Sequence, residues 1–425
     1  MSKVVKEIVI DVVLFYFGGW IGKIGGAFAK IGTAVQAIAL TRAIGFVAAA
    51  IQGQPRKIEA GLQDEYAGTV EPRRIIYGTA LVGGMNVIPP WTSGPQNDYM
   101  HQVLAIAGHE VSAISTVYLN QEEVSSFGSI TGTQDDGLIT TSSFANFIWL
   151  RRYLGTSTQT VDYILTTAFP SSWDSTHRGR GVAYVAMQYK YDTTVYRNGK
   201  PLVRSLVDGK KVYDPRKDST NGGSGAHRLA TPSTWEFSAN PALCLADYLM
   251  DATLGLGEDN TRIDWTLVAA AANTCDETVA IPPGSSTEYR YRCSLVLDAT
   301  ASYEQNIDSI VETMRGYVLY SGGKWLIYAG AWRTPDFTLT DDDVTGKVEI
   351  RTATPYKERW NAVRGQFVDA SNYYQPIEYP AIRSSADEAT DGEGPVWREL
   401  NGAGVTSQYQ AQRDAIVLQR MSRRK

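Results

Sequence analysis

The chain has 425 residues, of which 43% are hydrophobic and 20% are charged, and its formal net charge is −5. That length accommodates two to four domains of about 100–200 residues each. Nucleic-acid-binding domains carry a basic face, and the mildly acidic balance argues against that class. The basic cluster at the end of the chain fits a solvated terminus and consists of Arg420, Arg423, Arg424 and Lys425.

Cysteine usage argues against a disulfide framework. The count is odd and includes no CxxC pair, the three residues being Cys244, Cys275 and Cys293. We expect reduced thiols that pack in a core, as in a protein assembled in a reducing compartment.

Residues 8–52 are almost entirely apolar or small, with charges only at Asp11, Lys23, Lys30 and Arg42. The longest charge-free stretches are about 11–13 residues long, whereas a membrane span needs about 20. Asp11 also interrupts any signal-peptide core. Small residues four apart let helices approach closely, and they occur here at Gly18, Gly22 and Gly26.

We therefore expect residues 1–52 to form a hydrophobic helical plug inside an oligomer, followed by a polar linker over 53–69. Two alternatives remain for the segment: contact with a different protein, or contact with a membrane. An apolar surface of this size would aggregate if it were exposed on a monomer. The segment thus predicts an oligomer or a partner.

From residue 70 the pattern is typical of strands. Alternation is strongest over 181–192, and further strands are expected over 73–84, over 147–154 and on either side of a turn at 108–110 within 99–120. The dipeptide Asp208-Gly209 predicts a hairpin over 203–213. Apolar runs on both sides of Gly322-Gly323 predict another hairpin over 317–330, and 361–368 predicts a strand.

Helices are expected over 240–256, 264–274 and 303–315. The first has an N-cap residue, Asn240, and proline at its first position, Pro241. Strands and helices do not alternate regularly and no repeat of fixed period occurs. The fold class is therefore α+β, mostly antiparallel β and multi-domain, with β-rich regions at 70–232 and 301–425 and a helical insert region at 233–300.

Motifs for catalysis are incomplete. His109-Glu110 begins like the zinc-protease motif HExxH but lacks the second histidine. Lys23 is followed by Ile24 where a phosphate-binding loop needs Ser or Thr. Ser224 fails the GxSxG spacing of a nucleophile elbow, and the Gly255–Gly257 turn follows a helix instead of a strand.

Metal and acid–base chemistry has no better signal. Asp341–Asp343 lacks the glutamate that closes a calcium loop, and the four histidines are scattered at His101, His109, His177 and His227. We predict no catalytic, cofactor-binding or metal residues, and no enzyme. A pair of carboxylates that hydrolyses glycosides leaves no sequence pattern, so a hydrolase remains the alternative class.

Several stretches occur in an order that matches a known family. They are RRIIYGTALVGG (73–84), LAIAGHEVSAISTVYLNQEEV (104–124), LGTSTQTVD (154–162), RGRGVAYVAMQYKYD (178–192), GKKVYDPR (209–216), NPALCLADYLMDATLGLG (240–257) and WNAVRGQFVDASNYYQPIEYP (360–380). Together they resemble the N-terminal part of the tail tip (host-specificity) protein J family of lambda-like siphophages.

The resemblance implies a baseplate hub protein of the virion, assembled in the host cytoplasm. Such hubs are homotrimers whose two β-rich tube domains per subunit imitate a six-fold ring, here residues 70–232 and 301–425. The implied partners are the distal tail protein ring, the end of the tape-measure protein and other tail tip proteins. DNA would pass through the lumen without specific binding when the tip opens for ejection during host entry.

Two departures from the family matter. Its members are usually longer, so we expect either a split gene or a portion of a longer protein, with the region 301–425 incomplete. The first 50 residues do not match the family. The alternatives to a hub are a tail-associated cell-wall hydrolase and a membrane-active tail component.

Overall fold

The structure is a computed structural model, and it describes residues 72–124, 137–334, 359–392 and 394–423. The predicted plug over 1–52 and the linker over 53–69 lie outside the described residues, as do Lys23 and Asp341–Asp343.

Short strands dominate the described residues. In the first half they are β1 (Arg74–Tyr77), β2 (Thr79–Gly83), β3 (Met85–Asn86), β4 (Trp91–Ser93), β5 (Tyr99–Ala107), β6 (Ala113–Leu119), β7 (Glu122–Val124), β8 (Ile148–Tyr153), β9 (Ala183–Lys190), β10 (Val203–Asp208), β11 (Lys211–Val212) and β12 (Glu236–Phe237). In the second half they are β13 (Thr278–Ala280), β14 (Thr287–Tyr289), β15 (Leu295–Asp298), β16 (Tyr317–Ser321), β17 (Lys324–Tyr328), β18 (Ala362–Arg364), β19 (Gln366–Asp369), β20 (Gln375–Glu378), β21 (Ile382–Arg383) and β22 (Trp397–Glu399).

The α-helices among the described residues are α1 (Tyr163–Ala168), α2 (Pro241–Met250), α3 (Trp265–Asp276), α4 (Tyr303–Glu312), α5 (Ser385–Asp391) and α6 (Gln408–Ser422). Helix α2 begins as predicted, because the Asn240 side chain accepts a hydrogen bond from the backbone N–H of Ala242 at 3.1 Å. Its apolar surface is buried on all sides, which explains its nearly continuous hydrophobic sequence.

Two antiparallel sheets pack face to face in the first half of the chain. One has the strand order β2-β10-β6-β7, and the other has the order β3-β5-β9-β8 with β4 also paired to β5. Their shared core includes Val117 and Val207 from the first sheet and Leu104 and Val185 from the second. Alternate residues along each strand point into this core, which explains the alternating sequence pattern.

A second core combines residues that are far apart in the chain. Strand β1 pairs with β15, and Ile75 and Tyr77 pack with α2, α3, α4 and the β16–β17 hairpin. A third, smaller core lies between α6 and the strands β18–β22, and includes Val363 and Ala415. The pairing of β18 with β22 is parallel, whereas the other pairings between named strands are antiparallel among the described residues.

The fold is therefore mixed, mostly antiparallel and multi-domain, as predicted, while the exact domain boundaries remain a prediction. The predicted hairpin over 203–213 is wrong, because β10 pairs with β2 and β6, and β11 pairs with β12. After Asp208 the chain passes close to the bend between β1 and β2, where Gly209 donates to the carbonyl of Gly78 at 2.9 Å. A Cβ on Gly209 would lie 2.1 Å from the carbonyl oxygen of Ile76, so close approach, not turn formation, requires this glycine.

The predicted strand over 361–368 is divided into β18 and β19 at Gly365. In the parts of the chain that the structure describes, no helix combines the length and the apolar character that a membrane crossing requires.

Candidate functional site

His109, the histidine of the incomplete zinc-protease motif, lies in the protein interior. Its Nε2 accepts a hydrogen bond from the backbone N–H of Ile76 at 2.9 Å, and its Nδ1 lies 2.7 Å from the carbonyl oxygen of Glu110. These two partners require a neutral ring with the proton on Nδ1. Burial lowers the pKa of His109 to about 4, so the ring stays neutral and joins the β5–β6 turn to β1.

The other histidines are also held by local structure. His101 is buried and its Nε2 lies 2.8 Å from the hydroxyl of Ser93; burial, with the positive charge of Arg151, lowers its pKa to about 4. His177 stacks on Trp173 with ring centroids 5.0 Å apart, and the buried His227 lies 3.2 Å from the backbone N–H of Asp214. The structure does not bring the four histidines together into one site.

A buried ion pair holds α1 against the five-stranded sheet. Asp162, the N-cap residue of α1, accepts a hydrogen bond from Nε of Arg151 at 2.5 Å and one from the hydroxyl of Tyr153 at 3.0 Å. Its other oxygen accepts from the backbone N–H of Leu165. The carboxylate thus has three partners, which fits a positioning role for α1 better than acid–base chemistry.

A second buried charge cluster joins α2 to the chain between β10 and β11. Nζ of Lys210 lies 2.6 Å from Asp247 and 2.7 Å from Asp251, and the hydroxyl of Tyr77 donates to Asp247 at 2.6 Å. Every member has a partner within the cluster. The arrangement links the first sheet to the helices and leaves no free group for catalysis.

The cysteines lie in the second core, as expected for packing residues. All three are buried free thiols: Cys244, Cys275 and Cys293. Burial raises the pKa of Cys275 to about 12 and also raises the pKa of Cys244. Thiols with raised pKa values are poor nucleophiles and poor metal ligands at neutral pH.

Ser224 does not lie in a strand-to-helix elbow. It lies in a turn that is closed by backbone hydrogen bonds among residues 216–225. The backbone N–H of Ser224 donates to the carbonyl of Arg216 at 2.9 Å, and Gly223 has no room for a side chain beside that carbonyl. Across the described ranges, no group of three or more His, Cys, Asp and Glu side chains is arranged to hold a metal ion.

One surface cavity, of 380 Å³, lies between β14 and the start of α6. Ser407 and its charged and amide side chains are bonded to protein: Ser407 donates to Glu288 at 2.6 Å, and Arg292 binds Asp276 at 2.6 Å. Gln410 bonds to the backbone of residue 292 through both ends of its amide. Ser407, Arg292 and Gln410 thus hold the start of α6 in place, and their polar groups are already used for that packing.

The second cavity, of 300 Å³, lies between one face of the β2-β10-β6-β7 sheet and the loop that joins β19 to β20. We call it the tyrosine pocket. It is lined by Leu81, Tyr118, Gln121, Glu123, Ala370, Ser371, Tyr373 and Tyr374. No sequence motif predicts this pocket, because its residues come from three separate segments. The adjacent pair Tyr373-Tyr374 is its local signal in the sequence.

The fold of this chain matches several chains of known structure. One of them is a chain of the solved structure described as "Virion of native gene transfer agent (GTA) particle", with a TM-score of 0.56 and 13% sequence identity. The match covers 94% of this chain and 83% of that chain. At this identity the likeness shows a shared fold. No protein-family model matches the sequence, and no curated protein matches it.

Proposed function

We propose that this chain is a structural protein of a phage-like virion and serves as a tail tip or baseplate hub. The observation that carries the proposal is the shared fold over 94% of the chain with a component of a gene transfer agent virion. The ordered stretches that resemble the protein J family favour the same function independently, because they come from sequence.

The interior of the protein agrees with a structural role. The polar groups most favourable for chemistry, His109, Asp162 and Lys210, are each hydrogen-bonded to protein and connect strands to helices. In an enzyme site, at least one such side chain would face a cleft and keep a hydrogen-bond donor or acceptor free for the substrate. Under the proposal the protein is not an enzyme and needs no cofactor.

In the proposed assembly three copies form a ring that closes the tail tube. The ring would contact the distal tail protein ring on one side, the end of the tape-measure protein in its lumen, and other tail tip proteins below. Three apolar segments over 1–52 would pack on the axis as a plug, since a closed cyclic assembly buries the same face of every copy. Opening of the plug would release DNA during host entry, and the mildly acidic chain would not retain it.

Cryo-electron microscopy of the assembled particle tests the proposal. We expect three copies of the chain around the tail axis at the tip, below a six-fold ring, with residues 1–52 at the axis. A monomer away from the axis would contradict the hub; an open cleft with converging carboxylates in that monomer would favour a cell-wall hydrolase.

The plug has a test of its own. Particles whose hub lacks residues 2–52 should assemble a tip but lose DNA before they meet a host, measured as nuclease-sensitive DNA in purified particles. Intact DNA retention would contradict the plug while leaving the hub proposal standing. Binding of the full chain to liposomes through this segment would favour the membrane-active alternative.

A further inference from the structure

We propose that the tyrosine pocket binds a neutral saccharide, about one sugar ring in size. This inference does not depend on the hub proposal, because it rests on the pocket's own residues and is tested on the isolated chain.

Most polar side chains of the tyrosine pocket have no protein partner, whereas Ser407, Arg292 and Gln410 of the cavity beside α6 are bonded to protein. Within the described residues, no hydrogen bond is made by the hydroxyls of Tyr118, Tyr373 and Tyr374, by the Gln121 amide or by the Glu123 carboxylate. Hydroxyl, amide and carboxylate groups thus place both hydrogen-bond donors and acceptors around one small volume. A ligand rich in hydroxyl groups would satisfy them.

The pocket also has apolar faces of the right kind. The rings of Tyr118 and Tyr373 lie 5.7 Å apart with an angle of 84° between their planes, so they form two walls at right angles. Leu81 is 1% exposed and adds an aliphatic surface. A sugar ring presents C–H groups on its faces and hydroxyls at its rim, which matches aromatic walls with polar tips.

Two turns hold these walls in place. Asn120 and Gln121 have φ values of 54° and 93°, and Tyr373 and Tyr374 have φ values of 50° and 55°. Left-handed backbone is rare for such bulky residues and costs on the order of 1 kcal/mol or more each, unless the surrounding structure imposes it. Asp369 fixes the second turn, since it accepts from the backbone N–H and hydroxyl of Ser371. The rings are therefore positioned before a ligand arrives.

The lining argues against other ligand classes. It contains one carboxylate and neither lysine nor arginine, so a phosphate or another anion would be repelled. A single carboxylate is a poor metal site. A proline-rich peptide docks on a groove of parallel aromatic ridges, whereas these rings are perpendicular. The volume of 300 Å³ lies at the small end of the usual range of about 300–1,000 Å³ for ligand pockets.

The test is saturation-transfer NMR on the full chain with five probes: the methyl glycosides of glucose, galactose, mannose, N-acetylglucosamine and rhamnose. We expect at least one to bind with a Kd on the order of millimolar, with saturation strongest on its ring C–H protons. Tyr373→Ala and Glu123→Gln should each weaken binding about fivefold or more. The first removes a wall, and the second removes the charge and replaces one acceptor oxygen by an NH2 donor.

Tyr191→Ala is the matched control, since Tyr191 is 71% exposed and lies outside the pocket; its binding should equal that of the unmodified chain. If Tyr373→Ala does not fold, Glu123→Gln still tests the proposal, because Glu123 is exposed and its replacement should not affect folding. The proposal is overturned if none of the five probes receives saturation, if both pocket variants bind as the control does, or if a decaproline peptide binds and the sugars do not.

Discussion

His109 is a cross-link between two strands that are separated in the sequence. Within the described residues, its Nε2 is the acceptor for the backbone N–H of Ile76, and both residues are buried. Without this ring, the buried N–H of Ile76 would lose its hydrogen-bond acceptor. His109, which looked like part of a catalytic motif, is therefore explained by its hydrogen bond to a buried backbone N–H.

We predict that His109→Ala lowers the free energy of unfolding by about 2 kcal/mol or more, because it leaves a buried donor unsatisfied and opens a cavity. Urea denaturation followed by tryptophan fluorescence measures this change. The matched control is His177→Ala, whose side chain is 45% exposed and should cost less than about 1 kcal/mol. Equal losses in the two variants would show that His109 has no special role.

At the scale of elements, the contact between α2 and the first sheet depends on charges taken out of water. The Lys210 side chain is 17% exposed, and its partners Asp247 and Asp251 are 3% and 12% exposed. Two neighbouring carboxylates that are buried this far stay ionised only if a cation lies beside them. Lys210 supplies it from the segment between β10 and β11.

We predict that Lys210→Met lowers the free energy of unfolding by about 3 kcal/mol or more, since it leaves a buried carboxylate without its cation. The neighbouring Lys211→Met is the control. Lys211 pairs with Glu110 at 3.1 Å with both side chains about two-fifths exposed, so its loss should cost less than about 1 kcal/mol. Thermal melts of the two variants compare them, and similar melting temperatures would refute the argument.

Some elements were predictable from sequence because their signals are local. Helix α2 has its cap and its proline within two residues of its start, and the β16–β17 hairpin forms around Gly322-Gly323 as expected. The 203–213 hairpin failed because Asp208-Gly209 satisfies a turn pattern while the neighbouring strands find partners elsewhere. A turn signal does not reveal competition from distant strands.

At the scale of the whole molecule, buried titratable groups couple stability to pH. The pKa values of His101 and His109 are about 4 in the folded protein, against about 6.5 for histidine in an unfolded chain. The unfolded chain therefore binds more protons between these values. Their contribution is complete above about pH 6.5 and is lost as pH falls toward 4.

Asp414 acts in the opposite direction. Burial raises its pKa to about 6, so its contribution is present at low pH and is lost as pH rises through 6. Burial also raises the pKa of Asp247, which acts in the same direction as Asp414. Because the two histidines oppose these acids, we predict that the free energy of unfolding is lower at pH 4.5 than at pH 7, by up to roughly 2 kcal/mol. Urea titrations at constant ionic strength measure it.

The Asp414→Asn variant provides the internal check on this pH dependence. Removing the opposing acid should make the fall in stability between pH 7 and pH 4.5 steeper than in the unmodified chain. Stability that is unchanged or higher at pH 4.5 in the unmodified chain would contradict the assignment of neutral buried rings.

The sequence by itself determined the fold class, helices α2, α3 and α4 and the longer strands, because hydrophobic period, caps and glycine turns act over a few residues. It did not predict α6, the longest of the described helices, which lies in a region expected to be β-rich. Its ordered resemblance also indicated a virion protein, and the structural match supports that proposal. Only the tertiary structure decided that β1 pairs with β15, that His109 accepts from Ile76, and that residues from three segments enclose the tyrosine pocket. These features depend on which distant surfaces bury each other, and no local pattern encodes that choice.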